Sequence, residues 1–169
     1  MNLEIKKDLV SNWFKTLQNV FCNDIIKIEK SRANFKSTIW KRNNKKDEGG
    51  GEYRIYQNGK VFEKVGINFS KVYGRFPKEF QKNIPGAKKD PRFWASGISV
   101  VMHMQNPLIP AMHFNTRYIN TTYGWFGGGM DVTPSKFDKK EKEKFHKILK
   151  KMCDRHNKNF YKRYKKWCD

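Results

Sequence analysis

From residue 3 to residue 28, Leu9, Trp13, Leu17 and then Val20 with Phe21 follow one another by three or four positions, with charged groups between them. That spacing predicts an amphipathic helix. Residues 41–51 break the pattern with Lys, Asn and Asp side chains and three glycines, and read as a polar join. The period then changes to two. Glu52–Gln57 and Lys60–Val65 alternate around Asn58-Gly59, which predicts a hairpin closed by a type I′ turn. Residues 74–93 contain Pro77, Pro85 and Pro91 and read as irregular. A second hairpin is predicted from Ser99 to Ile119, its arms SVVMHMQ and AMHFNTRYI joined through Asn106–Pro110. A short aromatic strand, Thr122–Phe126, runs into Gly127-Gly128-Gly129, read as a turn. Beyond Pro134, Phe145, Leu149 and Met152 form a helical stripe that Phe160, Tyr164 and Trp167 extend. Helix, antiparallel strands, helix is the order of an α+β fold, an antiparallel β-sheet flanked by helices.

The second hairpin carries the chemistry. Because strand side chains alternate faces, Ser99, Val101 and His103 share one face of its first arm, and His113, Asn115 and Arg117 share one face of the second. If the two faces coincide, one surface presents a hydroxyl, two imidazoles, an amide and a guanidinium. Val100, Met102, Met104, Met112 and Phe114 fall on the other face as core. Polar groups gathered on one face need partners or solvent, since burying them unpaired is costly; a plainly solvated face is the alternative. Arg117 is suited to clamp a carboxylate in bidentate fashion. Phe114, Tyr123, Trp125 and Phe126 are candidate walls for a flat apolar body.

Asp131 follows the glycine run in GGGMDVTP. A carboxylate there can act as a general base or orient a protonated group, or it can satisfy local amides. His103, His113 and the helical His146 are candidate ligands of a divalent metal, although the spacing HMQNPLIPAMH matches no standard zinc signature. Neither GxGxxG nor CxxC occurs, no GK[ST] follows Gly49-Gly50-Gly51, and Ser99 lacks the GxSxG elbow of a hydrolase.

Composition narrows the partners. The 169 residues carry a formal charge of +20, from 36 Lys and Arg against 16 Asp and Glu. Such a field favours an anionic partner: nucleic acid, anionic lipid or a polycarboxylate metabolite. Lys far outnumbers Arg, whereas nucleic-acid readers lean on Arg for bidentate contacts. No run of about 18 apolar residues exists, so no membrane span is expected. Glu4, Lys6, Lys7 and Asp8 break up the first ten residues, so no secretory signal is expected. Three cysteines, Cys22, Cys153 and Cys168, make no disulfide framework. A cytoplasmic setting follows.

Five strings carry a resemblance: GGGEYRI from Gly49, VFEKVGINFSKVYG from Val61, GISVVMHMQNPLIPAMHFNTRYI from Gly97, WFGGGMDVTP from Trp125 and YKRYKKWCD from Tyr161. In this order they closely resemble the oxygen-dependent coproporphyrinogen III oxidases of haem biosynthesis. The resemblance implies oxidative decarboxylation of coproporphyrinogen III to protoporphyrinogen IX, with molecular oxygen as co-substrate and no organic cofactor. It implies Asp131 as the catalytic carboxylate acting at the pyrrole nitrogens and His113 as proton donor. Arg117 would hold a propionate or a peroxide-like intermediate, with Ser99, Asn115 and Thr116 as further substrate contacts. His103, His113 and His146 match histidines assigned to a divalent metal whose requirement is disputed. Glu52 stands where the family usually has Arg, while Arg54 is retained. Family members run on well beyond Asp169, through a further histidine, a glycine-rich arginine segment, the remaining strands and the region used for homodimerisation. Residues 1–169 are therefore expected to be the N-terminal part of a single oxidase domain, with a complementary C-terminal polypeptide as a possible partner. The alternatives are an inactive remnant and a basic nucleic-acid-binding module.

Overall fold

In the computed structural model, which describes residues 2–30 and 34–168, the chain divides into two units, one ending at Thr133 and the other beginning at Pro134. The first unit opens with helix α1 (Leu3–Glu29), whose N-cap Asn2 accepts a hydrogen bond from the Glu4 amide at 2.9 Å. Then come β1 (Lys36–Lys41), β2 (Gly49–Gln57), β3 (Phe62–Arg75), a single helical turn α2 (Lys78–Gln81), β4 (Arg92–Met104), β5 (Ala111–Asn120) and β6 (Gly124–Thr133). The strands form one six-stranded antiparallel sheet in sequence order, β1 to β6. An antiparallel sheet of this kind tolerates one covered face and one open face, and here α1 packs on β3 and β4.

The helix forms where predicted, but it turns a different side inward. Val10, Phe14, Gln18, Cys22 and Ile25 are buried, whereas Leu9, Trp13 and Val20 are more than 40 % exposed. The reason is the sheet beneath. Val65, Ile67, Phe69, Ile98, Val100 and Tyr118 form the apolar bed. Buried Gln18 docks into it by donating from Nε2 to the carbonyls of Glu52 and Ile67, each at 3.0 Å. Burial pushes the Cys22 thiol pKa up, with neighbouring Arg54 pulling the other way.

The first hairpin keeps its place and loses its type I′ turn. Asn58 has φ 58°, but Gly59 is not left-handed, and the strands resume only at Phe62. The loop closes on a carboxylate instead: buried Glu29 accepts from the amides of Lys60 (2.8 Å), Val61 (3.2 Å) and Phe62 (2.7 Å). A Cβ on Gly59 would lie 2.3 Å from Glu29 Oε1. The glycines 127–129 likewise lie inside β6 rather than in a turn.

In the second unit, α3 (Lys139–Asp154) and α4 (Phe160–Cys168) are separate helices. Asp138 caps α3, accepting from the amides of Lys140 and Glu141. No described helix is long and apolar enough to cross a membrane.

Candidate active site

The face of the sheet opposite α1 is built by register. Counting across from β2 to β6, Tyr53, Asn68, Ser99, Asn115 and Gly129 form one row. Gly51, Ser70, Gly97, Arg117 and Gly127 form the row on one side of it, and Ile55, Gly66, Val101, His113 and Asp131 the row on the other. Ser99, His113, Asn115, Arg117 and Asp131 therefore share a single surface. Gly66, Gly127 and Gly129 give it a low floor: a Cβ at any of the three would meet no atom within 4 Å. The result is a flat, shallow platform edged by polar side chains.

Asp131 and His113 sit directly opposite each other on β6 and β5, and Asp131 Oδ1 lies 2.7 Å from His113 Nδ1. A carboxylate only accepts, so the proton of this bond belongs to Nδ1. That fixes the imidazole tautomer and leaves Nε2 to serve an incoming group. Arg117 Nη2 donates to Asn115 Oδ1 at 3.2 Å, which turns the Asn115 amide nitrogen into a donor for a ligand. The pair and the guanidinium together offer proton transfer beside an anion clamp.

Not every expected residue joins this surface. Thr116 pairs with Ile98 and Gly128 on the α1 side of the sheet, and its hydroxyl donates to the Gly127 carbonyl at 3.3 Å. Phe114 also faces that side, against Phe21 at a centroid distance of 5.5 Å, and Phe126 packs on Tyr118 at 4.8 Å. Of the proposed aromatic walls, Trp125 is the one that shares a sheet row with the open face, opposite Ile119. His103 stands on the open side with its ring 6.5 Å from that of His113. His146 lies on α3, its Nδ1 3.1 Å from the Tyr161 hydroxyl. Among the described residues no group of three or more His, Cys, Asp or Glu side chains is placed to hold a metal ion. The bond from Nδ1–H to Asp131 leaves His113 Nε2 open, so it is the lack of converging further ligands among the described residues that speaks against a metal site, and no step below passes through a metal.

Two site residues were missed by sequence reasoning. Asn68 lies in the middle row and Trp40, on β1, reaches it, with Nε1 donating to Asn68 Oδ1 at 2.9 Å. The alternation of Ile67 and Phe69 with Asn68 and Ser70 was a usable signal, since β3 runs well past Val65. A cavity of about 610 Å³ at the β1 and β2 end of the sheet, lined by Lys15, Trp40, Asp47 and Tyr73 among others, is separate from the Asp131–His113 pair on β5 and β6.

Comparison with known proteins gives the same direction. Residues 9–169 match the family model described as coproporphyrinogen III oxidase. The chain is 47 % identical over 171 residues to an oxygen-dependent coproporphyrinogen-III oxidase of Rickettsia akari (strain Hartford), covering 96 % of this chain and 60 % of the relative. It is 45 % identical over 177 residues to a protein of the same name from Rickettsia rickettsii (strain Sheila Smith), covering 100 % of this chain and 62 % of the relative. This chain thus spans about 60 % of the length of the curated relatives it matches. With a family match over nearly its whole length, the chain belongs to the coproporphyrinogen III oxidase family.

Proposed function

We propose that the open face of the β-sheet is the porphyrinogen platform of an oxygen-dependent coproporphyrinogen III oxidase. On this reading residues 1–169 form the N-terminal part of one catalytic domain. The observation that carries the proposal is the glycine-floored surface on which Asp131, His113, Arg117, Ser99 and Asn115 converge. A tetrapyrrole with four propionates is a broad, weakly polar ring with an anionic rim. A low backbone floor suits the ring, and a guanidinium with neutral donors suits the rim.

The chemistry follows from the placement. Asp131 takes up the pyrrole N–H, which raises electron density in the ring that molecular oxygen then attacks. Each propionate that becomes a vinyl group loses a hydrogen from its side chain and its carboxylate as carbon dioxide. The two electrons released reduce oxygen. The side-chain hydrogen leaves as a proton to Nε2 of His113, whose Nδ1–H is held by Asp131, and His113 hands it to the reduced oxygen, which takes a second proton from water to leave as hydrogen peroxide. Arg117 holds a propionate so that it does not swing away from the reacting edge. The product is protoporphyrinogen IX. The family's homodimer, a complementary C-terminal polypeptide and a cytoplasmic location belong to the same reading.

The test is protoporphyrinogen formation from coproporphyrinogen III under air, by the chain alone and by the chain mixed with the C-terminal portion of a relative. Asp131→Asn should lower the turnover of the active mixture by at least about 100-fold, the usual range for a general base. Unchanged turnover would remove Asp131 from the chemistry. Equal turnover with and without the added portion would show that the remaining length is not needed.

A further inference from the structure

We infer that Asn68, set by Trp40, is a binding residue for a substrate carboxylate and extends the Ser99–Asn115 pair into a row of three donors. This rests on the reading that an anionic tetrapyrrole occupies the open face.

The argument begins with what each group is able to do. An indole N–H only donates. Trp40 Nε1 lies 2.9 Å from Asn68 Oδ1, so the amide oxygen is committed and the amide nitrogen must be the end left for a ligand. Asn115 is oriented in the same way, since the guanidinium of Arg117 also only donates and takes its Oδ1 at 3.2 Å. Ser99 stands between them, directly opposite Asn68 on one side and Asn115 on the other. Directly opposed side chains on neighbouring strands lie within reach of one ligand group. Two amide nitrogens and a hydroxyl in line, with Arg117 in the adjoining row, select an acceptor and reject a cation.

The geometry that delivers Trp40 is itself specific. Trp40 is opposite Gly51 on β2, and Asn68 lies on β3, beyond it. The indole reaches across the intervening strand because residue 51 has no side chain: a Cβ there would stand 2.9 Å from Trp40 Cζ2. The glycine run at 49–51, which the sequence offered without a role, thereby gains one.

The test uses the full chain and coproporphyrin III, the stable oxidised ring bearing the same carboxylates, with affinity read from its fluorescence. Asn68→Asp keeps the shape and replaces two donors by a negative charge, and should weaken binding by about tenfold or more. Trp40→Phe keeps the packing and releases the amide to flip, and should weaken it by a smaller factor. For the tetramethyl ester, which lacks the charges, the Asn68→Asp loss should disappear. Melting curves for each variant separate misfolding from lost contacts, and Trp40→Phe keeps the inference testable if Asn68→Asp does not fold. Wild-type affinity in both variants, or an equal loss for acid and ester, overturns the role of Asn68 alone. Failure of the wild-type chain to bind coproporphyrin III overturns the platform reading as well.

Discussion

Consecutive glycines of β6 should respond to substitution in opposite ways. At Gly129 a Cβ meets nothing within 4 Å, and the backbone is not in the left-handed region. Glycine inside a strand costs about 0.5–1 kcal/mol relative to alanine, and a β-branched residue suits a strand better still. Gly129→Val should therefore leave stability unchanged or raise it by up to about 1 kcal/mol, which is about 2–4 °C for a chain of this size. At Gly128 a Cβ would stand 2.4 Å from the Asn115 carbonyl oxygen and 2.9 Å from Thr116 Cα, both backbone atoms that cannot rotate away. Gly128→Val should lower stability by about 1–3 kcal/mol or more. Binding should separate the two sites in the other direction. A ring resting on the floor lies about 3.5–4.0 Å from backbone carbons, the space that the valine methyls at 129 would fill. Overlap costing about 1–3 kcal/mol corresponds to roughly a 5- to 150-fold loss of affinity. The assay is a thermal melt beside a coproporphyrin III titration. Equal melting of the two variants would refute the openness of the floor. A Gly129→Val chain that melts normally and binds with wild-type affinity would place the ring elsewhere.

Glu29→Ala strips the acceptor from three amides of the β2–β3 loop and should cost at least about 3 kcal/mol in urea unfolding, at about 1–3 kcal/mol for each abandoned donor; a loss under about 1 kcal/mol would mean that water replaces the carboxylate freely. The Arg92 guanidinium and backbone amide draw the Asp90 pKa from 3.8 down to about 2. Its folded value is the lower one, so its stabilising contribution is present above the ordinary value and fades as pH falls through about 2. An NMR titration should place the Asp90 midpoint near there, and Arg92→Ala should return it towards 3.8. If directional donors rather than the general lysine field hold the ligand, coproporphyrin III affinity should fall only a few-fold between about 0.1 and 1 M salt, over which the Debye length shrinks from about 10 to 3 Å. A fall of two orders of magnitude would assign binding to diffuse charge.

Local rules carried the fold a long way and failed where tertiary contacts decide. The second hairpin was readable because Ser99 to Arg117 alternates cleanly on both arms, and the observed pairs Ser99 with Asn115 and Val101 with His113 follow from that alternation. The first helix was readable as a helix, but Leu9 and Trp13 misled about its buried side. Apolar residues lie on two sides of α1, and only the sheet selects Phe14, Gln18 and Ile25 as the face to cover. The Asn58-Gly59 turn failed for a similar reason. Its local preference for a type I′ turn yields to Glu29, which lies about 30 residues earlier in sequence and takes three loop amides at once. The β1 strand gave no signal of its own, because Ser37, Ile39 and Lys41, though on the α1 side, stay exposed at the sheet edge and the role of Trp40 depends on Gly51 in the next strand.

The site was legible where function and strand period coincide, and hidden where it rests on the absence of side chains. Polar residues at 99, 113, 115 and 117 announce a face by their types. Gly66, Gly127 and Gly129 do not, because a glycine in a strand reads as a turn or a weakness until the register shows which side is empty. The strand setting also changes what Asp131 can do. As a residue beyond a turn it would have been free to satisfy local amides. As the cross-strand partner of His113 its carboxylate is aimed along the sheet surface, and the imidazole it holds has one nitrogen fixed. The same logic separates charge from recognition. Residues 134–169 carry 14 of the basic groups against 5 acidic ones, yet the open face uses Arg117 with neutral amides and a hydroxyl. A general positive field raises the local concentration of any anion. Only donors with their acceptor ends already committed, as at Asn68 and Asn115, discriminate one anion from another by the position of its oxygens.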